Sequence, residues 1–164
     1  MRDDRFRRLA TEHTPAIANY LRRRLYPLTT SDLDDLVEET LIVVWRRLDD
    51  VPDDAELPWM IGVARNVLHN ARRARRRRQS MESSLSAQGA TPSAEAWVLA
   101  SQSVRDAMQS LSRADRDLLM MHSWDGLDVQ TIARVLKITE ATTHVRLSRA
   151  QARFRHAMTE AASS

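Results

Sequence analysis

Apolar residues return every three or four positions through most of this chain, and no stretch alternates apolar and polar for long enough to form a strand. Phe6, Leu9, Ile17, Tyr20, Leu21 and Leu25 follow that spacing, then Leu33, Leu36, Val37, Leu41, Val44 and Leu48, then Met60, Val63, Ala64, Val67, Leu68 and Ala71. Residues repeating at 3.6 line one side of a helix, so each stretch must bury that side against another. The pattern stops over QSMESSLSAQGATPS, Gln79–Ser93, which contains Ser, Gly and Pro but no apolar face. The expected architecture is therefore all-α, with two small helical domains, residues 1–78 and 94–160, joined by a flexible linker at 79–93 and followed by a tail at 161–164. Only three glycines in 164 residues, with Ala, Leu, Arg and Glu recurring, agree with it.

Punctuation sets the elements. A first helix covers the opening 26 residues, offset at Pro15 and ended by Pro27. Ser31 or Asp32 caps a second, Leu33 to about Leu48, whose early acids Asp34, Asp35, Glu38 and Glu39 suit the positive end of the helix dipole. Asp49 to Pro58 is a loop with two prolines and five acids. A third helix starts at Trp59 and runs into residues 72–78, where six of seven are arginine. Beyond the linker, Trp97, Val98, Val104, Ala107, Met108 and Leu111 mark one helix. Ser112, with Asp115 three residues on, starts the next in capping-box fashion, and Leu118, Leu119 and Met121 supply its apolar positions. WDG at Trp124 to Gly126 is a turn.

Charge is placed unevenly. Up to Ser80 there are 16 Arg against 13 Asp plus Glu, a balance of +3, and beyond it nine Arg plus Lys meet nine acids. With no cysteine, disulfides, thiolate zinc sites and thiol catalysis are excluded. The five histidines, at 13, 69, 122, 144 and 156, show neither an i, i+4 pair nor HExxH, so no metal or other cofactor is expected. The acids of the second helix have no nearby His, Ser or glycine-rich cradle, which argues against an enzyme. The start MRDDRFRRLATEH has no apolar core, and no run approaches the roughly 20 apolar residues of a membrane span. A cytoplasmic protein is expected.

The last two helices have helix-turn-helix anatomy. A short helix, Asp128 to Leu136, turns inward Ile132, Ala133 and Leu136, and Lys137 and Ile138 join it to a helix capped by Thr139 that runs to about Met158. On that helix Thr143, Leu147, Ala150 and Phe154 share one face, so Ala141, His144, Val145, Ser148 and Arg149 face away. An outward face with few acids suits base edges and phosphates, and a merely solvated helical hairpin fits the same spacing.

SDLDDLVEETLIVVW followed by ELPWMIGVARNVLHNARRARRRR resembles region 2 of bacterial sigma factors, and LSRADRDLLMMHSWDGLDVQTIARVLKITEATTHVRLSRAQARFRHAM resembles region 4. Their order and spacing are those of the extracytoplasmic-function (group 4) sigma factors, which keep only these two regions. The resemblance implies a promoter-specificity factor that directs the RNA polymerase core to −35 and −10 elements and helps open the strands at −10. It places core docking, on the clamp coiled coil, at Asp35, Leu36, Glu38, Glu39, Ile42 and Trp45, and on the flap tip around Leu118, Leu119 and Met121. It places −10 capture in the loop Asp53, Asp54, Ala55, Glu56, Leu57 and Pro58 and at Trp59, with Arg65, Asn66, Arg72, Arg73 and Arg76 along the strand. It gives the −35 duplex to Thr139, Thr142, His144, Val145, Arg146, Ser148 and Arg149. Many members of the family are held inactive by an anti-sigma factor, some at the membrane, and whether this chain has such a partner is left open by its sequence. Lys137 departs from the glycine usual in the family's turn.

A two-domain helix-turn-helix regulator that leaves the polymerase's own specificity subunit in place shares the DNA-binding end. Polymerase separates the two: the regulator binds its operator alone, the sigma factor acts only with core enzyme.

Overall fold

The computed structural model describes residues 1–25, 28–82 and 101–163, and among these there is no β-strand. The chain divides into two compact units, Met1–Glu95 and Ala96–Ser164.

The first unit is three mutually packed helices: α1 (Arg2–Arg22), α2 (Leu33–Arg46) and α3 (Glu56–Glu82). α1 runs through Pro15 without a break. Pro15 lies on the exposed side, so the carbonyl it leaves without an N–H faces water, while Leu9, Ile17 and Leu21 keep an unbroken buried line. The helix ends four residues earlier than its sequence spacing predicts. Arg24 closes a tight turn, its N–H donating to the Leu21 carbonyl at 3.0 Å, and its buried guanidinium lies 3.9 Å from the Tyr20 ring centroid. Pro27 is outside the described residues.

A 3-10 turn, Thr30–Asp32, precedes α2. Asp32 stands at the helix start, but its carboxylate turns back to accept the Thr29 N–H at 2.7 Å and the Thr29 hydroxyl at 2.9 Å. Those bonds, helped by Arg75 and Arg78 of α3, hold its carboxyl below the usual range. Leu33, Leu36 and Val44 are buried, and Thr40 is buried with them because its hydroxyl donates to the Leu36 carbonyl at 2.7 Å. Leu48 falls in a second 3-10 turn, Leu48–Asp50, and not in α2.

α3 differs from expectation at both ends. It starts at Glu56, three residues before Trp59, because a proline in the first turn needs no N–H partner, and the Trp59 N–H is the donor that bonds back to the Ala55 carbonyl, at 3.1 Å. It then carries the whole arginine block and continues to Glu82, through residues 79–82 of the expected linker. The rest of that linker, with Trp97 and Val98, lies outside the described residues. Met60, Val63, Ala64, Val67 and Leu68 form its buried face together with Ile61, which the spacing had left out.

In the second unit α4 (Gln102–Ser110), α5 (Arg113–Leu119) and α6 (Val129–Leu136) each pack on α7 (Glu140–Ala162). Ser112 caps α5, accepting the Asp115 N–H at 3.2 Å, but the reciprocal capping-box bond is replaced by an ion pair: Asp115 accepts from Arg153 of α7 at 2.7 Å. Arg116 closes α4, donating to the carbonyls of Met108 and Leu111 at 3.0 and 3.1 Å. Met120–Trp124 form one π-turn, and the WDG turn ends on Gly126 at φ 68°.

Candidate nucleic-acid interface

Helices α6 and α7 of the second unit have defined ends. Asp128 caps α6, accepting the Thr131 N–H at 2.7 Å, a bond that holds its carboxyl below the usual range. Lys137 ends α6 at φ 56°, ψ 44°, and Ile138 then donates to the Ala133 carbonyl at 3.0 Å. This is the left-handed cap usually built with glycine, made here with lysine. Thr139 starts α7, accepting the Thr142 N–H at 3.1 Å while its own hydroxyl donates to that of Thr142 at 2.8 Å.

α7 is sorted as its spacing predicts. Thr143, Leu147 and Ala150 are buried and Phe154 is half-buried; Thr143 is buried at no polar cost because its hydroxyl donates to the Thr139 carbonyl at 2.9 Å. Ala141, Thr142, His144, Val145, Arg146, Ser148 and Arg149 are exposed on one continuous face. Val145 stands 49% exposed on it.

In the first unit α2 presents a mixed surface. Asp35, Glu38 and Glu39 are exposed, and a shallow groove is lined by Phe6, Asp34, Val37, Glu38, Leu41, Ile42 and Trp45. Ile42 and Trp45 are 41% and 37% exposed; the Trp45 ring meets Phe6 edge-on at 5.2 Å between centroids. Two groups of expected docking residues do not belong here. Leu36 is buried between the helices, and Leu118, Leu119 and Met121 are buried in the core of the second unit, so none of the four offers a surface. The family resemblance marked them as docking positions, and their apolar spacing is accounted for by the core.

The expected base-capturing segment divides. Asp53 and Asp54 are exposed and Ala55 half-buried in the loop, whereas Glu56, Leu57, Pro58 and Trp59 form the first turn of α3. Glu56 faces inward: Arg8 donates to its two oxygens at 2.6 and 3.1 Å, and His13 Nε2 lies 3.4 Å away. The Arg8 hydrogen bond, against a smaller burial penalty, holds the Glu56 carboxyl below its ordinary range. Glu12, His13 and Glu56 bring possible ligand atoms within 4.8 Å of one another, but Arg8 also donates to Glu12 at 3.3 Å, so a guanidinium already stands where a cation would sit. Trp59 is half-buried, with the Arg47 guanidinium 5.2 Å from its ring centroid.

Along α3 the expected arginines also divide. Arg72 donates to the Arg24 carbonyl and is half-buried, as is Arg65. Asn66, Arg73 and Arg76 are exposed. They share their face with His69, Asn70 and Arg77, which the sequence reading passed over although helical counting from Asn66 reaches all three.

A helical unit with an arginine-lined helix, followed by a helix-turn-helix unit with an open recognition face, defines a sigma-70-type transcription initiation factor. Residues 9–78 match the family model for Sigma-70 region 2, and residues 101–153 match that for Sigma-70, region 4. The chain is 30% identical over 148 residues to the ECF RNA polymerase sigma factor SigL of Mycobacterium tuberculosis, covering 86% of this chain and 81% of that one. It is 28% identical over 158 residues to the RNA polymerase sigma factor NccH of Alcaligenes xylosoxydans xylosoxydans, covering 91% and 84%. Its fold is that of the sigma factor RpoE from Bartonella quintana, solved in complex with the anti-sigma factor NepR, at a TM-score of 0.65 and 19% identity over 94% of this chain and 96% of that one. The chain belongs to the ECF RNA polymerase sigma factors. It is a promoter-specificity factor for initiation, and sigma factors are in general not enzymes; two matched sigma regions set aside a regulator that works without replacing the specificity subunit.

Proposed function

We propose that α2 docks this protein on the polymerase clamp through Asp35, Glu38, Glu39, Ile42 and Trp45. The observation that carries this is the pair of exposed apolar side chains, Ile42 and Trp45, set in a groove rimmed by Asp34 and Glu38. A basic coiled coil complements both parts, burying the groove and pairing the acids. The outward face of α7 reads −35 duplex: His144, Val145, Ser148 and Arg149 meet base edges, while Thr139, Thr142 and Arg146 hold phosphates. The loop at residues 51–55 captures an unstacked −10 base, and the outward stripe of α3, Asn66, Arg73 and Arg76 with His69, Asn70 and Arg77, follows the strand. The chain itself performs no chemistry; binding differences alone favour the open promoter. Because it acts on polymerase, its place is the cytoplasm, and the same α2 groove offers a surface that an anti-sigma factor could cover; the sigma factor RpoE was solved in complex with one, NepR.

The docking assignment is tested by reversing Asp35 and Glu39 together to lysine in the full chain. Affinity for core polymerase should fall at least about tenfold, equivalent to roughly 1.4 kcal/mol, with helical content unchanged. Wild-type affinity in the double variant would remove α2 from the interface.

A further inference from the structure

The segment joining α2 to α3 carries four acids, Asp49, Asp50, Asp53 and Asp54, and Glu56 opens α3 directly after it, in the part of the chain assigned to a negatively charged strand. Left uncompensated, that charge repels what the loop is meant to hold. The loop's backbone bonds are local turns, Val51 N–H to the Leu48 carbonyl at 3.3 Å and Ala55 N–H to the Pro52 carbonyl at 3.3 Å, which shape it without placing it. The buried Leu48 and Val51 anchor its near end, and α1 holds it from outside. Arg2, Arg5 and Arg8, three residues apart, reach across 47 or 48 residues to Asp49 at 2.7 Å, Asp53 at 2.8 Å and Glu56 at 2.6 Å in the same order. Two of them also hold backbone: Arg2 donates to the Trp45 carbonyl at 2.9 Å, and Arg5 to the carbonyls of Leu48 and Val51 at 2.9 and 2.7 Å. Arg47 pairs with Asp50 at 2.9 Å.

We propose that Arg2, Arg5 and Arg8 form a ladder that positions the −10-reading loop, bolting its backbone to α1 and pairing Asp49, Asp53 and Glu56 so that a single strand can approach. This rests on the assignment of the loop to −10 capture. Exposed ion pairs alone stabilise little, so the central rung is Arg5: it is the least exposed of the three arginines, and guanidinium bonds to two backbone carbonyls fix a loop more firmly than one carboxylate does. The arginines do not touch the base; they act through the loop.

The test is the ratio of initiation from promoters that differ only at −10, using the full chain with core polymerase, because a general loss of stability scales all promoters together and leaves the ratio unchanged. In Arg5→Ala that ratio should fall by about fivefold, in line with losing charge-assisted bonds to backbone, and core affinity should stay within about twofold. Arg5→Lys, which keeps the charge but cannot span two carbonyls and a carboxylate, should restore only part of it. Arg2→Ala, at an exposed rung, carries the same test should Arg5→Ala fail to fold, with a smaller fall expected. A wild-type ratio in the folded variants overturns the ladder. Asp54→Ala separates the two claims: if it shifts the preference while the arginine variants do not, the ladder alone fails; if neither moves it, the loop does not read −10.

Discussion

A lysine holds the left-handed position where the helix-turn-helix changes direction. Its Cβ crowds the following carbonyl there, at a cost of about 1–2 kcal/mol that glycine escapes. Lys137→Gly should therefore stabilise the second unit by about 1 kcal/mol, raising its Tm by about 4–8 °C for a unit of this size in a thermal melt followed by circular dichroism. A lower Tm would mean that the lysine side chain contributes more to the fold than its backbone costs. The sequence flagged this position, because a non-glycine residue in such a turn is visible by eye. It did not show the partners of Arg2, Arg5 and Arg8, since ion pairs between residues 47 or 48 apart follow from how helices pack and not from local spacing. Asp32 shows the same limit at short range: its type and place fit a helix cap, yet its carboxylate goes to Thr29.

At the level of elements, caps set where the recognition unit begins and ends. Asp128 accepts the Thr131 N–H, and that bond places its carboxyl pKa in the folded chain below the ordinary 3.8. A depressed carboxylate stabilises the fold above its unfolded pKa and loses that contribution as pH falls from there through the folded value. Asp128→Ala should thus cost about 1 kcal/mol at neutral pH, and the gap between variant and wild type in denaturant titrations should narrow below pH 3.8 as the wild-type carboxyl protonates. A gap independent of pH would show that the carboxylate is not the cap. Helix existence was readable because 3.6 spacing is a strong signal, but boundaries were not. Pro58 reads as a stop, although a first-turn proline loses nothing, so α3 began earlier than expected; Gln79 to Glu82 read as linker, although nothing in them opposes a helix already propagating. Leu118, Leu119 and Met121 mark a further limit, since an apolar stripe looks the same whether a core or a partner covers it.

For the whole molecule, the division into two helical units and the family were legible because two long motifs stand in order with a break in apolar spacing between them. The site was legible in part. The exposed face of α7 is set by the burial of its opposite side, so counting residues found it; the exposed stripe of α3 was found in part, because which arginines turn inward depends on the rest of the unit, where Arg24, just past α1, offers Arg72 its carbonyl. Together the two matched regions put promoter recognition and polymerase binding in one chain, with α2 the proposed docking helix. The most direct test of that assignment is reconstituted transcription with purified core polymerase on a library varied at both elements. Transcripts should appear only when chain and core are both present, with preferences at −35 and −10 together, and without core the chain should show no tight, sequence-specific duplex binding. Tight operator binding by the chain alone, with no transcript when core is added, would contradict it.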